Sequence, residues 1–66
     1  MQIWIHGEER DVRAELDVES LVAELGLRPE IVAVERNGRL VPRSQRASIR
    51  LEAGDRIELV TLVGGG

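Results

Sequence analysis

The sequence predicts an α+β domain in which a mixed sheet of four to five strands, in the order β-β-α-β-β-β, packs on one helix. Three observations predict it. Short segments along the chain alternate apolar and polar residues, as half-buried strands do. A single stretch, Val18 to Leu25, carries apolar residues at helical spacing. Asn37-Gly38 sits between two of the strand segments and is the strongest two-residue hairpin signal in the chain.

In Gln2 to His6, Ile3 and Ile5 fall on one side and Trp4 on the other, which makes a first strand. Gly7-Glu8 is read as a tight turn, and Glu9 to Ala14 as a weaker second strand with Val12 as its apolar point. Asp17 offers an N-cap, and Leu16 and Leu21 have the spacing of a hydrophobic staple. Val18, Leu21, Val22 and Leu25 form one apolar stripe at i, i+3, i+4 and i+7. Gly26 supplies the left-handed residue that ends the helix, and Pro29 prevents its resumption. Ile31 to Arg36 is a third strand with Val32 and Val34 inward, and Leu40 and Val41 a short fourth one halted by Pro42. Arg43 to Ile49 reads as irregular, with room for one helical turn. Ala53-Gly54-Asp55 turns the chain into the last strand, Arg56 to Val63.

With 66 residues the chain is one small domain, assigned to 1–63 with a tail at 64–66. A domain this small buries only about 60% of the surface of its unfolded chain. It contains no cysteine and one histidine, so neither a disulfide framework nor a structural zinc site is available. No 18-residue apolar run exists, and the opening Met-Gln-Ile-Trp-Ile lacks the pattern of a signal peptide. The expectation is a cytoplasmic protein, monomeric when isolated, with no membrane or nucleic-acid partner. A net charge of −3 agrees with the last point, because phosphate binding needs a positive face. All nine basic residues are arginine, so no lysine amine is present to accept an acyl group from another copy.

Gly64-Gly65-Gly66 follows an apolar strand directly. Three glycines have no side chain to pack and the most conformational entropy to lose, so a flexible tail is expected. Extended, it reaches roughly 10 Å, thin enough for a narrow channel in another protein. The carboxylate of Gly66 is ionised at neutral pH, with a pKa of about 3.5, and must be activated before a nucleophile can add to it. The chain has no phosphate-binding loop and no nucleophile–base pair, so if Gly66 does chemistry a partner enzyme must supply ATP and catalysis; the other reading of three glycines is a frayed chain end.

The opening Met-Gln-Ile-Trp-Ile and the strand order resemble ubiquitin-like β-grasp proteins. Asn37-Gly38, Val41-Pro42-Arg43, Gly54-Asp55 and the run Val60-Thr61-Leu62-Val63-Gly64-Gly65-Gly66 resemble the ThiS family of sulfur carriers over essentially the whole chain. That resemblance implies a carrier that is not itself an enzyme and binds no cofactor. A ThiF-like E1-type adenylyltransferase would adenylate Gly66 with ATP and magnesium. Sulfur relayed from a cysteine desulfurase would give a Gly66 thiocarboxylate, and a ThiG-like thiazole synthase would take the sulfur for the thiazole of thiamine. A MoaD-like carrier for molybdopterin or another thiolation pathway is the near alternative. A ubiquitin-like protein modifier or an interaction domain is the more distant one. Two positions depart from the family pattern: Gly64 where a residue such as alanine is common, and Arg36 where the third strand usually ends in an apolar residue.

Three further side chains are assigned to partner docking. Trp4, the only aromatic residue, faces away from Ile3 and Ile5, and Val60 and Leu62 share that outer face close to the tail. His6 is read as a solvated histidine beside a turn. Arg39, Arg43 and Arg46 are candidates for a local basic face.

Overall fold

The computed structural model describes residues 1–62. Five strands are observed: β1 Gln2–Ile5, β2 Glu8–Asp11, β3 Val32–Arg36, β4 Arg39–Leu40 and β5 Arg56–Thr61. They form one sheet in the order β2-β1-β5-β3-β4. The sheet is mixed: β1 runs parallel to β5, and every other pair is antiparallel. The helix α1, Val18–Glu24, lies between β2 and β3 in the chain. This is the α+β, ubiquitin-like β-grasp arrangement expected from the sequence.

The helix begins and ends as its sequence dictates. Asp17 is extended, and its carboxylate accepts the Ser20 amide at 2.7 Å. Such a cap contributes about 1 kcal/mol. At the other end the Leu27 amide donates to the Val22 carbonyl and the Gly26 amide to the Ala23 carbonyl, with Gly26 at φ +74°. That pair of bonds is a Schellman ending. Pro29 does more than stop the helix. It opens a short 3₁₀ turn, Pro29–Ile31, where its fixed φ suits the first helical position.

Both hairpins turn on two residues with positive φ. Asn37 and Gly38 have φ of +53° and +83°, as the sequence predicts. In the first hairpin the turn is His6-Gly7, one residue earlier than expected, with φ of +52° and +78°. Register explains the shift: Ile5 pairs with Glu8, so β1 stops at Ile5 and β2 starts a residue sooner. The stretch read as irregular is a six-residue 3₁₀ segment, Arg43–Ser48.

The core is one cluster between the sheet and the helix. Ile3, Ile5, Val32, Val34 and Ile57 come from the sheet, and Val18, Leu21 and Val22 from α1. Leu16, Val41 and Leu51 close it, while Leu25 and Leu59 pack against it partly buried. Among the described residues no helix covers the opposite face of the sheet, where Trp4, Leu40 and Val60 are exposed.

Arg36 shares the inward parity of Val32 and Val34 yet stays compatible with the core, because it ends the strand. Its Nε donates to Asp55 at 2.8 Å, and an Nη donates to Glu52 at 3.2 Å. Asp55 is 5% exposed and also accepts from the Asn37 side chain and the Glu52 amide. Burial works against the ionised Asp55 carboxylate. The Glu52 amide, Arg36 and Asn37 together outweigh it and hold the pKa below the ordinary aspartate value. For Asp17 the Ser20 amide is the main cause of a shift in the same direction.

Both groups have depressed folded pKa values. Their contribution is therefore complete above the unfolded value of about 3.9 and lost as pH falls through the folded value. Asp55→Asn is expected to cost about 1.5–3 kcal/mol at neutral pH, the range for hydrogen bonds to charged groups. Urea denaturation at falling pH checks this. The gap between wild type and variant narrows below about pH 4, and a constant gap contradicts the assignment.

Candidate functional site

The site is the outer sheet face where β5 ends. Strand alternation puts Ile57 and Leu59 toward the core and Glu58 and Val60 toward solvent. Val60 is 50% exposed and stands opposite Ala33 on β3. Leu62 lies one residue past the strand and is 53% exposed. Its amide donates to the Ile31 carbonyl at 2.5 Å, so the ladder between β3 and β5 runs one residue past Thr61. Val60 and Leu62 share a face by alternation, directly before residue 63. Gly64, Gly65 and Gly66, to which the expectations of a flexible tail and a modified carboxylate refer, lie outside the described residues, as does Val63.

Trp4 is on the same face, 39% exposed, but it does not join that pair. It sits opposite Arg56 on β5, four residues from Val60 and so about 13 Å away along the strand. It borders a shallow hollow with Gly7, Gly54, Arg56 and Glu58. A polar row separates the two regions. His6 Nδ1 meets Glu58 at 2.9 Å, Glu58 stands opposite Glu35, and Glu35 stands opposite Leu40. His6 is thus a fastener, not merely a solvated turn residue. Its Nε2 accepts the Leu59 amide at 3.3 Å, which places the ring proton on Nδ1 toward Glu58.

Leu40, 64% exposed, is the outward residue that sequence reasoning passed over. The signal was present: Val41 is buried and held by its amide to the Val34 carbonyl, so its neighbour must face out. The basic face for which Arg39, Arg43 and Arg46 are candidates does not form from all three. Arg46 is 4% exposed, and its guanidinium donates to the carbonyls of Pro29 and Val32 at 3.0 and 2.6 Å.

Among the described residues no group of His, Asp or Glu side chains is placed to hold a metal ion, and no helix is long and apolar enough to cross a membrane. What the site offers chemically is contact. Apolar side chains, Val60 and Leu62, are grouped at the end of the last strand, and polar groups rim them.

The sheet order, the single helix and an apolar outer face at the end of β5 define a ubiquitin-like β-grasp domain. Comparison with known proteins narrows the class. The ThiS family model matches residues 3–66, and the chain belongs to that family. A crystal structure of the thiamine biosynthesis protein ThiS from Geobacter metallireducens superposes with a TM-score of 0.88 at 29% identity, covering both chains completely. A thiazole synthase of Paramagnetospirillum magneticum is 46% identical over all 66 residues, and one of Magnetococcus marinus is 41% identical. The chain spans only 20% of the length of each of these synthases. An uncharacterized protein of Porphyra purpurea is 32% identical, and the chain covers 93% of it.

Proposed function

We propose that this chain is a sulfur carrier of thiamine biosynthesis and that Gly66 bears the sulfur. The observation that carries the reading is the family match, which runs through the last glycine of a tail that follows β5. In the proposed reaction the Gly66 carboxylate attacks the α-phosphorus of ATP and pyrophosphate leaves. A ThiF-like E1-type adenylyltransferase supplies ATP, magnesium and the catalytic groups. The resulting acyl-adenylate is a mixed anhydride. A persulfide sulfur from a cysteine desulfurase relay adds to its carbonyl carbon and AMP leaves. A thiol then cleaves the S–S bond reductively, which frees the Gly66 thiocarboxylate. The chain is a cosubstrate in this scheme and not an enzyme.

Docking is assigned to Val60 and Leu62, at the root of the tail, with Trp4 as a separate contact across the polar row. The two thiazole synthases each contain a segment similar to this whole chain, which supports a ThiG-like partner. It also favours the thiazole pathway over the molybdopterin alternative.

Pyrophosphate release tests the first step. A ThiF-like enzyme given ATP and magnesium is expected to release pyrophosphate only when the chain is present, one equivalent per enzyme site before turnover. No chain-dependent release from an enzyme that activates its own carrier would sink the reading.

A further inference from the structure

We infer that Arg46 is a positioning residue that fixes the root of the tail from within the domain. The 3₁₀ turn Pro29–Ile31 has no buried side chain of its own. Yet the Ile31 carbonyl accepts the Leu62 amide, the last described bond before the tail. Arg46 reaches that turn from the Arg43–Ser48 segment. One Nη donates to Pro29 and the other to Val32, so the guanidinium fork grips the backbone on both sides of Ile31.

Its placement is costly. The side chain is 4% exposed, it pairs with no carboxylate among the described residues, and Nε has no hydrogen-bond partner. Two donors held rigidly in one plane are what an arginine provides and a lysine does not. The consequence is a preorganised exit: with Ile31 fixed, Leu62 is fixed, and less order has to be imposed when a partner takes the tail.

Amide hydrogen exchange on the whole chain tests this, with Arg46→Met and Arg46→Lys beside wild type. Methionine fills similar space without donors, and lysine keeps the charge without the fork. The Leu62 amide is expected to exchange at least about tenfold faster in both variants. The Trp4 and Val41 amides, bonded to Asp55 and Val34, are expected to stay within about twofold of wild type. Equal loss of protection at all three amides in both variants, or no change at Leu62, overturns the inference.

A second readout rests on the carrier reading proposed above. In the adenylation assay the variants raise the KM for the carrier about fivefold and leave kcat unchanged, because ordering is lost before binding and the chemistry is untouched. A fall in kcat at constant KM contradicts the inference. If wild type itself is not adenylated, the carrier reading fails, while the exchange result still judges Arg46.

Discussion

Deletion of Gly66 is expected to abolish activation of the chain by the proposed adenylating enzyme without changing the fold. The core cluster of the described residues runs from Ile3 to Ile57. Removing the last residue leaves a carboxylate on Gly65, chemically the same group but about 3.5 Å short of its place. Reaction geometry is steep in distance, and a displacement of about 1 Å can cost two orders of magnitude in rate. Chain-dependent pyrophosphate release is therefore expected to fall at least about 100-fold, with an unchanged thermal midpoint. Activity within about threefold of wild type would show that the partner does not read the end of the chain by position.

Val60→Asp is expected to weaken docking by about 30-fold or more, which is the effect of losing a hot-spot side chain. Val60 is half exposed, so the free domain loses little packing. A partner covering this face would instead have to desolvate a new carboxylate. The introduced charge also stands near Glu58 on its own strand and Glu35 across the sheet. Titration calorimetry with the adenylating enzyme and with the thiazole synthase measures the change, with denaturant unfolding as the control. Trp4→Ala delimits the interface. A loss as large as that of Val60→Asp would extend it across the His6–Glu58 row, and a loss confined to one partner would assign the two regions to different partners. Unchanged affinity of Val60→Asp for both partners would contradict the assignment of this face.

Much of this fold is legible because its signals are local. Asp17, Gly26 and Asn37-Gly38 each act over a few residues, and the alternation of Val32 and Val34 states which side of β3 is buried. What escaped depends on residues far apart in sequence. Arg36 looks misplaced in its strand until Asp55, 19 residues away, is seen to receive it. Arg46 reads as a surface residue in an irregular stretch because nothing nearby reveals the carbonyls 14 and 17 residues earlier that it satisfies. The one-residue shift of the first turn has a similar origin. His6 adopts a positive φ, which is uncommon outside glycine, and its ring bond to the Leu59 amide, 53 positions on, helps to hold it there. Trp4 and Val60 share a face by parity, as expected. Parity says nothing of the offset between β1 and β5, and that offset is what separates them.

The most direct test of the central claim is the intact mass of the chain after incubation with ATP, magnesium, a ThiF-like enzyme and a cysteine desulfurase with cysteine. Exchange of one carboxylate oxygen for sulfur is expected to add about 16 Da, on the C-terminal fragment that contains Gly66, and to vanish on Gly66 deletion. An unchanged mass, with a partner enzyme that thiolates its own carrier under the same conditions, would contradict the account.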